Sequence, residues 1–162
     1  MEGEASPPRP AEQIDLIRLC QALNANAALY IVIGGMAVNR LGFLRATDDI
    51  DLLVEKSSGN QERIRAALEI LQDKAVREMK ADDLDRYLVI RVADEIVVDL
   101  MLSAGGLNYD DAKEGIELQA IQGVTIPFAS AKLLLRMKQT YREKDLMDCR
   151  FLENKIEDDL KR

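Results

Sequence analysis

Apolar side chains at Ile14, Ile17, Leu19, Cys20 and Leu23 recur near the helical period, so residues 11–26 read as an amphipathic helix that Asn24-Ala25-Asn26 brings to a stop. The apolar run over residues 28–33 then reads as a strand entering Gly34-Gly35. Residues 36–41 follow as a short helix whose N-terminus faces the Gly-Gly turn and which ends at Gly42. A second strand is expected over residues 50–55. After the turn at 56–60, Ile64, Ala67, Leu68 and Leu71 give a packing helix over 61–72 with Asn60 as its cap.

Residues 87–93 and 96–102 are two β-rich runs separated by Asp94-Glu95, the length of a tight connection between antiparallel neighbours. A smaller hairpin is expected over 117–127 around Gly123. Ser130 then caps a helix through Leu133, Leu134, Met137 and Tyr141, and a final helix runs from 144 towards 160. No internal repeat is evident. The order of elements implies an α+β fold: a small mixed or antiparallel sheet with helices packed mainly on one face. The Ser6-Pro7-Pro8-Arg9-Pro10 run makes residues 1–10 a disordered, mobile tail, which leaves 11–162 as a single domain.

With 48% hydrophobic residues in 162, the chain can bury the core of one ordinary domain. The 22 Lys and Arg against 29 Asp and Glu leave a formal charge of -7, a field that repels polyanions, so a nucleic-acid partner would need a local basic patch. Histidine is absent, which excludes Ser-His-Asp and Cys-His catalysis and imidazole-based zinc sites. Metal chemistry would have to rest on carboxylates, the ligands of magnesium, calcium or manganese. Cys20 and Cys149 are far apart, in no ligand spacing, and read as buried free thiols. No run approaches the roughly 18 apolar residues of a membrane span. Met1-Glu2-Gly3-Glu4 lacks the cationic start of a secretion signal, so a cytoplasmic location is expected.

Candidate chemistry gathers where the first two strands end and begin. Residues two apart in a strand share a face, so Asp49 and Asp51 point together while Ile50 and Leu52 turn to the core. Two such carboxylates repel unless a cation sits between them. Asp48 points to the other side or lies in the preceding turn, where it caps or pairs with Arg45. Asp99 interrupts the apolar strand 96–102, where a charge must be paired or bound to metal. It is a third ligand or a half-buried carboxylate paired with an arginine such as Arg91. Taken singly, a Gly-Gly turn is a turn and an Asp-x-Asp a solvated strand edge. In this order they can supply the two halves of a nucleotide-metal site, amides for phosphate and carboxylates for its cation.

Ile33-Gly34-Gly35, followed after an interval by Asp49-Ile50-Asp51, resembles the minimal nucleotidyltransferases of the DNA polymerase β superfamily. Within that superfamily, Arg45-Ala46-Thr47-Asp48-Asp49-Ile50-Asp51 is most similar to the AbiEii-type toxin nucleotidyltransferases and related uncharacterised bacterial proteins. Leu134-Leu135-Arg136-Met137-Lys138, with Arg142-Glu143-Lys144-Asp145 and Asp148 beyond it, resembles a late helix of the same family; the other reading of Arg142, Lys144, Asp145 and Asp148 is an exposed charge lattice. The resemblance spans residues 30–152. It implies that Gly34 and Gly35 contact the triphosphate, with Arg45 and Thr47 also at the nucleotide. It further implies that Asp49, Asp51 and Asp99 hold Mg2+ or Mn2+, and that Lys138, or else Lys144, approaches the phosphates. The implied activity is Mg-dependent transfer of a nucleotide from an NTP to a protein or RNA acceptor, with a toxin–antitoxin role and a partner antitoxin or toxin chain. Many active members carry a long additional helical domain for acceptor binding, where this sequence is expected to form two helices. A catalytically silent nucleotide-binding regulatory or interaction module is therefore the alternative.

Overall fold

Four consecutive buried residues, Tyr30–Ile33, form strand β1 in the middle of the sheet, where a fully apolar stretch has neighbours on both sides. The computed structural model describes residues 6–44, 46–138 and 143–162, with the side chains of 143–145 outside that description. Ahead of β1 lies α1 (Gln13–Ala25), whose inward face includes Leu16, Leu19, Cys20 and Leu23. Ile14, expected on that face, is exposed, and Asp15 is buried instead. The helix α2 (Gly34–Arg40) follows β1 without a loop, and β2 (Asp49–Val54) returns antiparallel to β1.

Helix α3 (Ser58–Leu68) is capped by Ser57, whose hydroxyl accepts from the Asn60 amide at 3.3 Å, and not by Asn60. Asn60 is fully buried because its side chain has another task. Its amide accepts from Leu29 N–H at 2.7 Å and donates to the carbonyls of Leu29 and Glu55 at 3.0 and 2.9 Å, which pins α3 to the outer ends of β1 and β2. A 3₁₀ turn (Ala75–Glu78) and a single helical turn α4 (Asp83–Arg86) lead to the antiparallel pair β3 (Ile90–Ala93) and β4 (Val97–Met101), joined at Asp94-Glu95 as the sequence predicts. Residues 87–89, expected in β3, lie outside it with large exposed surfaces.

The stretch that follows was illegible in the apolar pattern. It holds the short hairpin β5 (Ser103–Ala104) and β6 (Leu107–Asn108), the turn of helix α5 (Tyr109–Ala112) and a 3₁₀ turn (Lys113–Gly115). The expected hairpin around Gly123 is β7 (Ile116–Ile121) with β8 (Val124–Ala129). Both turn residues, Gln122 and Gly123, have positive φ (49° and 80°), as a type I′ turn requires. Ser130 caps α6 (Ala131–Met137), its hydroxyl accepting from Leu133 N–H at 3.2 Å. Tyr141, expected on this helix, lies outside the described residues. The last helix is α7 (Glu143–Leu160), with Leu152 fully buried and Phe151 stacked on Phe43 at a 5.0 Å ring separation.

The six main strands are ordered β3-β4-β2-β1-β8-β7. The sheet is mixed: β2 with β4 and β1 with β8 are parallel, and the other neighbours are antiparallel. This is the expected α+β class. Among the described residues, no helix is long and apolar enough to cross a membrane. Residues 6–10 have no regular structure, yet Arg9 is docked on the body of the fold through Asp15.

Candidate active site

The sheet order brings the two carboxylate-bearing strands side by side. Because β2 and β4 are parallel and paired Asp51 to Asp99, those two side chains leave the sheet on one face at one level, and Asp49 leaves that face two residues earlier. On the other side of β2, Ile33 pairs with Asp51, so the chain turns into α2 directly beside that carboxylate. Gly34 makes the turn with φ of 68°. A Cβ there would collide with Asp51 Oδ2, so glycine is required twice, by the backbone conformation and by the approach.

Three carboxylates so close repel one another. Burial, followed by the charges of Asp99 and Asp49, pushes the Asp51 carboxyl up to about 6, and Lys138 opposes this shift. Arg91, opposite Asp99 on β3, supplies compensating charge. Its Nε donates to Asp99 Oδ1 at 3.0 Å, and its Nη2 donates to Asp99 Oδ2 and Asp49 Oδ2, each at 3.1 Å. Asp99 is thus buried and paired with Arg91, the second of the two environments its sequence position allows, while still facing Asp51.

Lys138 closes the site from the end of α6. Its Nζ lies 3.0 Å from Asp148 Oδ2 on α7, a carboxylate with no solvent exposure. That burial excludes the exposed charge lattice for Asp148. The backbone carbonyl of Lys138 accepts from Cys149 Sγ at 3.2 Å. Cys20 is buried and Cys149 is only partly so, and neither is in a disulfide.

A cavity of about 370 Å³ is lined by Gly34, Gly35, Ala46, Thr47, Asp48, Asp49, Asp51, Arg91, Asp99 and Lys138. It adjoins one of about 480 Å³ that shares Gly34, Asp51, Arg91, Asp99 and Lys138 and adds apolar walls from Val89, Met101, Leu134 and Met137. Together they form a cleft with an acidic end and an apolar end. A larger cavity, about 600 Å³, shares Ala46 and Thr47 with the acidic end, but none of the three aspartates lines it. The three aspartates make the two-part cleft, not the 600 Å³ cavity, the candidate site.

Of the sequence candidates, Gly34, Gly35, Thr47, Asp49, Asp51, Asp99 and Lys138 meet around this cleft. Arg45 lies outside the described residues, and so does the side chain of Lys144. Asp148 as the buried partner of Lys138 had one signal, its place four residues past Lys144 in the late motif, where the apolar neighbours Leu146 and Met147 gave no sign of burial.

Hard oxygen ligands on one face, with mutual repulsion that a cation would relieve, suit Mg2+ or Mn2+. Among the described residues no three acidic, histidine or cysteine side chains already form a closed metal cage. The positive group bridging Asp49 and Asp99 is the Arg91 guanidinium. The donor types suit such a metal, which would have to take the place of the Arg91 guanidinium on the oxygens of Asp49 and Asp99.

No protein-family model matches the chain. No curated protein matches it either. Among solved structures, the chain is similar to the crystal structure of an antigenic nucleotidyltransferase-like protein from Paracoccidioides brasiliensis, with a TM-score of 0.51 at 17% identity, over 91% of this chain and 78% of that one. At that identity the likeness shows the fold, which is nucleotidyltransferase-like.

Proposed function

We propose that this protein is a metal-dependent nucleotidyltransferase that moves a nucleotide from an NTP to a hydroxyl on a protein or RNA acceptor. The observation that carries the reading is the pairing of Asp51 with Asp99 in register on parallel strands, beside the Gly34 turn that no other residue could make so close to Asp51. Mg2+ or Mn2+ held by Asp49, Asp51 and Asp99 would supply Lewis-acid neutralisation of the triphosphate and a lowered acceptor pKa.

The chain's own groups do the rest. The N–H groups of Gly34 and Gly35, in the first turn of α2, donate to no carbonyl within the helix and are available to phosphate oxygens. Lys138, held by buried Asp148, places a cation at the cleft for the triphosphate. The apolar walls from Val89, Met101, Leu134 and Met137 take the less polar part of the nucleotide and exclude water. With histidine absent, Asp99 accepts the acceptor's proton. We place the protein in the cytoplasm, where NTPs are, and in a toxin–antitoxin pair with a partner antitoxin or toxin chain, on the motif resemblance.

The second reading, a nucleotide-binding module without turnover, is favoured by Arg91, which ties up two of the three carboxylates. The two are separated by incubating the protein with Mg2+ and NTPs labelled at the α-phosphate, beside Asp51→Ala. Label transferred to an acceptor with release of pyrophosphate by the native protein alone supports the enzyme. Nucleotide binding without pyrophosphate release across protein, RNA and small-molecule acceptors supports the module.

A further inference from the structure

The run Pro8-Arg9-Pro10-Ala11 places two backbone donors two residues apart, with a proline between them. In extended chain, alternate N–H groups face the same side, and Pro10, which has no N–H, falls where none is needed. The structure uses both donors. Arg9 N–H donates to the Glu95 carbonyl at 3.0 Å, and Ala11 N–H donates to the Asp48 carbonyl at 2.9 Å.

Those two carbonyls stand at the entries to β2 and β4. Asp48 immediately precedes Asp49, and Val97, two residues after Glu95, pairs with Asp49 in register. One short segment therefore ties together the starts of both strands that carry the site's carboxylates. It is fastened by the Arg9 guanidinium, which donates to Asp15 through Nη1 at 2.8 Å and Nη2 at 2.7 Å. Asp15, in the first turn of α1, is buried and also accepts from Glu12 N–H at 2.8 Å. The second anchor is Glu95, whose Oε1 lies 3.6 Å from Arg9 Nη2. A fork of this kind is geometrically specific, so lysine would not reproduce it.

We propose that Arg9 is a positioning residue for the carboxylate site: its fork on Asp15 holds residues 9–11 across the starts of β2 and β4 and so sets how Asp49 stands relative to Asp99. The ligand involved rests on the nucleotidyltransferase reading. Metal ligation tolerates distance errors of only about 0.2 Å, so a small relaxation of the Asp48-Asp49 backbone is felt as lost affinity.

The test uses the full chain, Mn2+ as the probe followed by electron paramagnetic resonance, and amide hydrogen exchange. In Arg9→Ala, Mn2+ affinity falls by about tenfold, the scale of other outer supports of metal ligands. Exchange over residues 46–50 and 95–98 quickens in the same variant, and Arg9→Lys falls between it and the wild type. Asn60→Ala, destabilised at the opposite ends of β1 and β2, keeps Mn2+ affinity within about twofold, as distant sites do. Unchanged affinity and exchange in Arg9→Ala overturn the proposal. An equal loss of affinity in Asn60→Ala overturns it too, since loss of stability would then suffice. If the wild type binds no Mn2+, the nucleotidyltransferase reading fails, and exchange decides the clamp alone: quickening in Arg9→Ala supports it and no change overturns it.

Discussion

Asp51 carries a cost for its place beside two other carboxylates. The folded protein holds its proton up to about pH 6, whereas the unfolded chain releases it near 3.8. Between these values the folded state binds more protons than the unfolded state, so stability falls as pH rises through the interval and stays low above it. The difference corresponds to roughly 3 kcal/mol at neutral pH. Asp51→Asn removes the charge at nearly constant volume. The expected outcome in chelator is a melting temperature above wild type at pH 7, by about 2–4 °C for each kcal/mol regained. The gap should narrow below pH 6 and vanish near pH 4. Melting curves of both proteins from pH 4 to 8 check this, and a constant gap would mean that the carboxyl is not raised. The same variant should bind Mn2+ more weakly, because stability and ligation pull on Asp51 in opposite directions.

Among the elements, α3 owes its seat to a side chain that the sequence marks only as a helix cap. Asn60 satisfies both backbone groups of Leu29 and the carbonyl of Glu55, and an alanine would leave the Leu29 N–H and the Glu55 carbonyl without that partner, while the Leu29 carbonyl keeps the Glu55 N–H. At about 1–3 kcal/mol for a buried group left unsatisfied, Asn60→Ala should lose on the order of 2–4 kcal/mol. Denaturant unfolding should show a lower midpoint with an unchanged slope; a changed slope would mean that a larger part of the fold had come apart. The same residue explains what the chain discloses before folding. Local signals were readable: the alternation at Asp49-Ile50-Asp51 placed both carboxylates on one face, Gly123 marked a hairpin, and Asp94-Glu95 joined β3 to β4. Those depend on period and turn chemistry within a few residues. The pairing of β1 with β8, the neighbourhood of β2 and β4, and the role of Asn60 depend on contacts across long separations, which no local pattern encodes. Arg91 stood between the two cases. It was readable as a partner for Asp99, but its second bond to Asp49 required the order of three strands.

The charge of the whole molecule decides how a nucleotide can enter. At a formal charge of -7, with three aspartates in the cleft, a bare triphosphate meets repulsion from the fold and from the site alike. Lys138 is already engaged with Asp148, and Arg91 with Asp49 and Asp99. Under the proposed function a divalent cation would therefore accompany the nucleotide, and stabilisation by the nucleotide alone should be small. With Mg2+ and an unreactive α,β-methylene NTP at about 100 times its dissociation constant, linkage adds about 2.7 kcal/mol. For a chain of this size that is a melting shift of roughly 5–10 °C. The same nucleotide in chelator should give almost none of it. Asp49→Asn should abolish the shift without lowering the unliganded melting temperature, because Asp49 is half-exposed at the rim and its loss leaves Arg91 still held by Asp99 through two bonds. A shift of equal size in that variant would remove Asp49 from the ligand set. A full shift in chelator would instead mean that protein cations alone neutralise the phosphates, and the carboxylates would then need another purpose.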